Sequence, residues 1–168
     1  MPTLLRIALL VRHNPPYKPL DIILSYSHLS LQNDALKAFS QLFYERAKVQ
    51  QVIAASPLSM GLLTTAPPPW HPAPKDLQLI ANKEAGRVSA SWAGGLPNLA
   101  LGYAMRHSID VGMPLAVGFS TLREVHESVR VWREVQARVD GENRKRKEEE
   151  VVKVFDRAGY KDYSWSSP

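Results

Sequence analysis

The sequence predicts an α/β fold: a partial (β/α)8 barrel, roughly its C-terminal half, with three parallel strands, the helices they feed and a closing helix. Three observations carry this reading. Short apolar runs rich in β-formers alternate with segments of helical period. A helix stands at the N-terminus with no strand ahead of it, and a long Pro-rich loop follows the second strand, on the side where barrels carry their working loops. Residues 1–139 read as the half-barrel, and 140–168 as a C-terminal helix and tail.

The elements follow in order. Thr3 to Arg12 is apolar most of the way round, a helix ended by Asn14-Pro15-Pro16. Asp21 to Tyr26, "DIILSY", is a buried strand bounded by Pro19. Asn33 or Asp34 caps a helix reaching about Lys48, with Leu36, Phe39, Leu42 and Phe43 inward. "QVIAAS" is the second strand. The loop behind it holds prolines 67, 68, 69, 72 and 74, yet its Leu58, Met60, Leu62, Leu63 and Trp70 are not what a solvated linker carries. Lys75 to about Val88 is helical, "SASWAGG" interrupts, and Leu96 to His107 resumes. "MPLAVGFS" is the third strand. Thr121 caps a helix to about Val139 with Leu122, Val125, Val129 and Trp132 as its stripe, and Met105 and Trp132 read as core. Asn143 to Ala158 is the last helix, stopped by Gly159, with Lys145/Glu149 and Arg146/Glu150 at ion-pair spacing.

Composition narrows the chemistry. The chain has no cysteine, which excludes disulfides, thiolate metal sites and Cys nucleophiles. No His or carboxylate pair has the spacing of a metal site, and "REVHE" carries only one histidine. The net charge of +5 is dispersed, and its one cluster, "RKRK", is followed at once by "EEE", as on a solvated helix. The N-terminal apolar stretch is broken by Arg6 and Arg12, is too short to span a bilayer and lacks a cleavage site. A soluble cytoplasmic protein with neither nucleic-acid nor membrane partners is expected.

Four segments, "LDIILSYSHLSLQND", "VIAASPLSMGLLT", "PPPWHPAP" and "LAVGFSTLREVHESV", resemble the aldo-keto reductase superfamily in order and spacing. Within it they look like the branch of NAD-dependent dehydrogenases acting on L-galactose or D-arabinose, from about Leu4 to Pro168, and the closing "YKDYSWSSP" looks like that branch's C-terminus. The resemblance implies a nicotinamide cofactor, NAD with NADP as the alternative, and a small sugar substrate. It places Ser56, Leu58, Ser59 and Met60 over the pyrophosphate, and Gly118, Phe119, Ser120 and Thr121 at the adenosine half. For that second turn physical chemistry concurs, because a helix N-terminus favours phosphate. Glu127 and Ser128 fall where the family has Glu-Asn against adenine. Ala55 replaces the Tyr that stacks on nicotinamide, and Glu124 stands where NADP users carry a cation, a substitution that favours NAD.

Tyr26 at a strand end is a candidate for the sugar pocket. His28 either meets substrate or is a satisfied structural residue. Trp70 and His71 either cover a sugar ring or anchor a stiff loop. Tyr44 and Tyr103, within helices, read as packing residues. The family's catalytic Tyr, Lys, Asp and His all lie in the first half of the barrel, so this chain is expected to be inactive alone. Two other readings remain open: a non-catalytic nucleotide- or partner-binding module, and a complete small α/β enzyme, for which no nucleophile elbow, P-loop or Gly-rich fingerprint is present. A half-barrel leaves two strand edges open and strips the barrel-facing sides of Ile22, Leu24, Val52, Ala54, Leu115 and Val117, whichever register applies, of their opposing layer. Self-association through those edges, or a molten state, is expected.

Overall fold

The three strands form one open parallel sheet in a computed structural model that describes residues 1–165. The strand order is β1-β2-β3, with β1 at Ile22–Tyr26, β2 at Gln51–Ala55 and β3 at Leu115–Ala116. Register runs from Ile22↔Gln51 to Tyr26↔Ala55, then Ala54↔Leu115 and Ala55↔Ala116. Parallel neighbours need crossovers, and helices supply them. After α1 (Pro2–His13) and β1, α2 (Leu36–Glu45) leads to β2; α3 (Lys75–Leu79), α4 (Gly86–Ser89) and α5 (Gly95–Asp110) lead to β3; α6 (Leu122–Gln136) and α7 (Gly141–Arg157) follow. The sheet is not closed, so the architecture is a partial barrel. No helix among the described residues is long and apolar enough to cross a membrane.

Side chains alternate between the two faces of a strand, and here the faces have different fates. Ile23, Val52 and Ala54 are buried against α1 and α2 with Leu36, Phe43 and Met113. A second core joins α3 to α5, the long loop and α7 through Leu62, Leu63, Leu77, Leu99, Val151 and Phe155. Ile22, Leu24 and Tyr26 point away from both cores and are exposed, as expected for a barrel-facing side. The register corrects the rest of that expectation: Val52, Ala54 and Leu115 lie on the helix side, Val117 packs with Leu101, Met105 and Val131, and Ile53 and Ala116 take the inward positions.

Several element boundaries differ from expectation for local reasons. α2 has Ala35, not Asn33 or Asp34, at its N-cap, because Asn33 Oδ1 accepts the Ala35 N–H in a turn of its own at 3.1 Å and Asp34 is drawn into an ionic cluster. It stops at Glu45, short of Lys48, whose φ of 57° is left-handed. The helix expected from Lys75 to Val88 contains a π turn at Ile80–Ala85. α6 ends at Gln136 rather than Val139, just before Arg138 turns left-handed at φ 53°. β3 is two residues long because its ladder with β2 starts at Ala54↔Leu115 and ends at Ala55↔Ala116, where β2 itself stops. Trp132, expected in the core, is 41% exposed on α6, whereas Met105 is buried. α7 forms as expected, but its ions pair at three-residue spacing: Lys145 with Glu142 at 3.0 Å, and Lys147 with Glu150 at 2.5 Å.

Candidate functional site

The carboxyl ends of β1 and β2 converge on a strained, polar-rimmed cavity. Ser27 after β1 has φ 59°, and Ser56, Ser59 and Met60 after β2 have φ 56°, 50° and 59°. Side chains in this left-handed region cost on the order of 1 kcal/mol each, and such strain gathers at functional sites. The cavity holds about 200 Å³ and is lined by Tyr26, Ser27, His28, Asn33 and Met60 from the strand ends and by Tyr163, Ser164 and Trp165 from the tail. The Ser27 hydroxyl is buried and has no hydrogen-bond partner among the described residues. His28 spans the wall, Nδ1 3.4 Å from Ser25 Oγ and Nε2 3.4 Å from Ser164 Oγ. Burial, and then the α-amino group of Met1, lower its pKa, so the neutral imidazole can both donate and accept. Two of the expected sugar contacts, Tyr26 and His28, therefore share this cavity.

The other two do not reach it in the expected way. Trp70 stands exposed at the loop tip, its ring stacked beside His71 at 6.4 Å. His71 is buried, and its whole polar capacity goes to backbone: Nε2 is 2.8 Å from the Ser59 carbonyl, and Nδ1 accepts the Ala73 N–H at 3.1 Å. That pattern assigns the proton to Nε2 and makes His71 an anchor of the loop rather than a sugar contact. Gly61, at φ +94°, completes the anchoring, since a Cβ there would stand 2.8 Å from Pro68 Cδ. Replacing His71 by Ala is expected to cost about 2 kcal/mol, two buried bonds of roughly 1 kcal/mol each. Limited proteolysis should then cut within residues 64–70 faster than in the unmodified chain, while an unchanged cleavage rate would return His71 to the rim.

The residues expected to hold a dinucleotide are mostly engaged. Ser59 is buried with its hydroxyl donating to Ser30 Oγ at 3.0 Å, Ser56 Oγ accepts the Met60 N–H at 2.9 Å, and Leu58 packs between two cores. After β3, Phe119 is exposed and Gly118 opens onto free space. Thr121 caps α6 as expected, accepting the Glu124 N–H at 3.2 Å. Glu124 returns the bond, its Oε2 accepting the N–H groups of Ser120 at 2.6 Å and Thr121 at 3.2 Å. The two amides expected to meet phosphate already carry a carboxylate, in a reciprocal capping arrangement. Glu127 pairs with Arg123 at 3.0 Å. Ser128, on the same helix, is buried, and its hydroxyl has no hydrogen-bond partner among the described residues.

A polar assembly absent from the expectations ties the tail to the end of β1. Gln32 Nε2 donates to the carbonyls of Tyr160 at 2.7 Å and Tyr163 at 3.0 Å. Asn33 Nδ2 reaches Ser164 Oγ at 3.1 Å, and the Asp162 N–H donates to the Gln32 carbonyl at 2.9 Å. Asp34 binds Lys161 and Lys37 and accepts the Tyr103 hydroxyl at 2.6 Å, so Tyr103 is a polar tie and not merely packing. The sequence signal was "QND": three consecutive polar residues in the loop between β1 and α2, two of them buried. Trp165 closes the wall, its ring edge-on to His71 at 5.2 Å.

No protein-family model matches the chain. Among curated proteins it is similar to the L-galactose dehydrogenase of Arabidopsis thaliana, 37% identical over 123 residues that make up 73% of this chain and 37% of that protein. It is also similar to the D-arabinose 1-dehydrogenase of Saccharomyces cerevisiae, 29% identical over 152 residues, 88% of this chain and 44% of that protein. The chain spans less than half the length of either relative.

Proposed function

We propose that this chain, related over most of its length to the L-galactose dehydrogenase and D-arabinose 1-dehydrogenase branch of the aldo-keto reductases, is the C-terminal, nucleotide-binding part of an NAD-dependent sugar dehydrogenase. The reaction of the whole enzyme would be oxidation of an aldose of the L-galactose or D-arabinose type to its lactone, for which a bound nicotinamide would supply the hydride acceptor and a base would take the proton of the anomeric O–H. That base, with its Lys, Asp and His companions, belongs to the family's preceding strands, so this chain by itself is inactive. The observation that carries the reading is the cavity at the carboxyl ends of β1 and β2, where a barrel presents its substrate.

The residues there suit a polyol. Ser27, Tyr26 and His28 offer hydroxyl and neutral imidazole groups, and the unpartnered Ser27 Oγ gains most from a sugar hydroxyl. At the cofactor's ribose end the fit is to NAD: Glu124, seated on the α6 amides, can accept from a 2′-hydroxyl and repels a 2′-phosphate. That same carboxylate favours one other reading, a binding module in which the phosphate grip has been given up.

Calorimetric titration of the purified chain distinguishes these. NAD should bind roughly tenfold or more tightly than NADP, a difference of about 1.4 kcal/mol, and Glu124→Arg should reverse the order. Neither aldose should raise the absorbance of NADH with this chain alone. A native preference for NADP would remove the assignment of Glu124, turnover by the isolated chain would remove the missing-base argument, and a folded chain that binds neither nucleotide would remove the nucleotide-binding reading.

A further inference from the structure

A second cavity lies away from the sheet, where the last turns of α5 and α6 meet the first turns of α7. It holds about 620 Å³, within the range of small-molecule sites. None of its lining residues belongs to a strand or to the cavity at the strand ends. Its walls are ionic: Arg106, Arg138, Arg144 and Lys145 stand among Asp110, Glu134 and Glu142.

The carboxylates of this wall are already occupied. Glu134 accepts from Arg130 at 3.3 Å and from Arg144 at 3.1 Å, Glu142 accepts from Lys145 at 3.0 Å, and Asp110 lies 3.7 Å from His107. Donors, by contrast, are left over. Arg144 is 3% exposed; both of its Nη atoms are bonded, to Asn98 and Glu134, but its Nε–H has no partner among the described residues. Arg106 repeats the pattern, with Nη2 on Glu148 and a buried Nε–H that has no acceptor among the described residues. Buried donors are rarely left unbonded, because the loss of water is then uncompensated. Burial also works against the Arg144 charge, and the carboxylates of Glu148 and Glu134 offset this only in part. Arg138 is exposed at the rim and has no carboxylate partner among the described residues.

α7 begins at the same place, with Gly141 and Glu142 in the wall. Its N-cap residue, Asp140, is left-handed at φ 47° and makes no side-chain cap, so the first-turn amides of Glu142 and Asn143 are bonded neither within the helix nor by a cap. The positive end of a 17-residue helix therefore stands beside the two orphaned guanidinium groups.

We propose that this cavity binds a phosphate group, free or carried as the monoester of a small molecule, held by Arg144 and Arg106 within, Arg138 at the rim and the first amides of α7. Three donor sets around one space suit an anion with three terminal oxygens better than a carboxylate with two. A cation does not fit, since the groups left over at this wall are donors, and no cluster of three or more metal-ligating side chains is present among the described residues. The volume beyond the phosphate leaves room for the organic part of an ester. This site shares no residue with those assigned to the sugar or the dinucleotide, so it does not rest on the dehydrogenase reading.

The test is an NMR titration of the isotope-labelled full chain with inorganic phosphate and, separately, with glycerol phosphate, at an ionic strength held constant with sodium chloride because exposed charges respond to salt alone. Saturating shifts are expected at the backbone amides of Glu142 and Asn143 and at the Nε–H of Arg144. Tighter saturation by glycerol phosphate identifies an ester as the ligand, and equal saturation by the two probes identifies free phosphate. Arg138→Glu changes an exposed position, so its spectrum should match the parent away from the site while binding weakens roughly tenfold or more. Shifts in the parent that never saturate with either probe, or that saturate equally in Arg138→Glu, overturn the proposal. The amides of Ser120 and Thr121, held by Glu124, report the dinucleotide end separately. Saturation confined to them overturns this site and leaves the nucleotide reading standing.

Discussion

Replacing Asp34 by Ala should lower stability by about 3 kcal/mol, a large part of what holds a domain of this size together. One carboxylate joins three parts of the chain: Lys37 on α2, Tyr103 on α5 and Lys161 in the tail. Removing it leaves a phenol and two ammonium groups, each partly withdrawn from water, without their acceptor. Burial alone would raise the Asp34 pKa, but the bonds from Lys161, Lys37 and Tyr103 outweigh it and hold the carboxyl well below the usual carboxylate range. A depressed folded pKa adds stability that is fully present above the unfolded value near 4 and is lost as pH falls below it. The Tyr103 hydroxyl is shifted the other way, first by burial and then by its bond to Asp34. Its contribution is present below about pH 10 and fades above. Urea midpoints at fixed protein concentration should therefore separate parent from Asp34→Ala most between about pH 4 and 10, and draw together in acid. A gap of constant size down to pH 2 would show that Asp34 acts by packing alone.

Gly102→Ala is the second large effect, and its sign opposes the usual rule. In a helix interior this change normally stabilises by about 1 kcal/mol. At Gly102 a Cβ would overlap Nη1 of Arg144 and lie 2.9 Å from its Cζ. That guanidinium cannot step aside cheaply: it is 3% exposed, donates to Asn98 O at 3.2 Å, Asn98 Oδ1 at 3.0 Å and Glu134 Oε2 at 3.1 Å, and lies over the Trp92 ring. Displacing it leaves a buried cation short of partners, so a net loss of about 2–4 kcal/mol is expected. Gly86→Ala is the internal control, since its Cβ would meet only Ala81 O at 3.8 Å. Thermal melts should move in opposite directions for the two variants, and a shared direction would mean that Arg144 has room to relax.

The elements set by local chemistry were legible in the sequence. β1 and β2 announce themselves as short β-branched runs, and Thr121 as a cap before an apolar stripe. Glu124 was readable too, since Ser-Thr-Leu-Arg-Glu is a capping-box pattern, but the family resemblance drew attention to a ribose instead. What could not be read depends on distance or absence. The length of β3 is set by where its partner β2 stops, and "MPLAVGFS" cannot report the end of a strand far earlier in the chain. Nothing in "WHP" says which ring turns inward; the choice of His71 follows from two backbone groups elsewhere in the loop. The π turn at Ile80–Ala85 leaves no mark in composition. Asp34 and Lys161 are 127 positions apart, beyond any local period.

The tie between Gln32 and the tail has a consequence in the order of synthesis. Its two ends lie 128 residues apart, so the strand that bears Tyr26, Ser27 and His28 leaves the ribosome long before the residues that wall in its cavity. Throughout elongation Gln32 and Asn33, both destined for burial, keep their polar groups in water, and Asp34 waits for Lys161. Translation that halts before Tyr160 would release all three strands with the tail side of the cavity unbuilt. Completion of this site is thereby a late event, timed by the codons for residues 160–165.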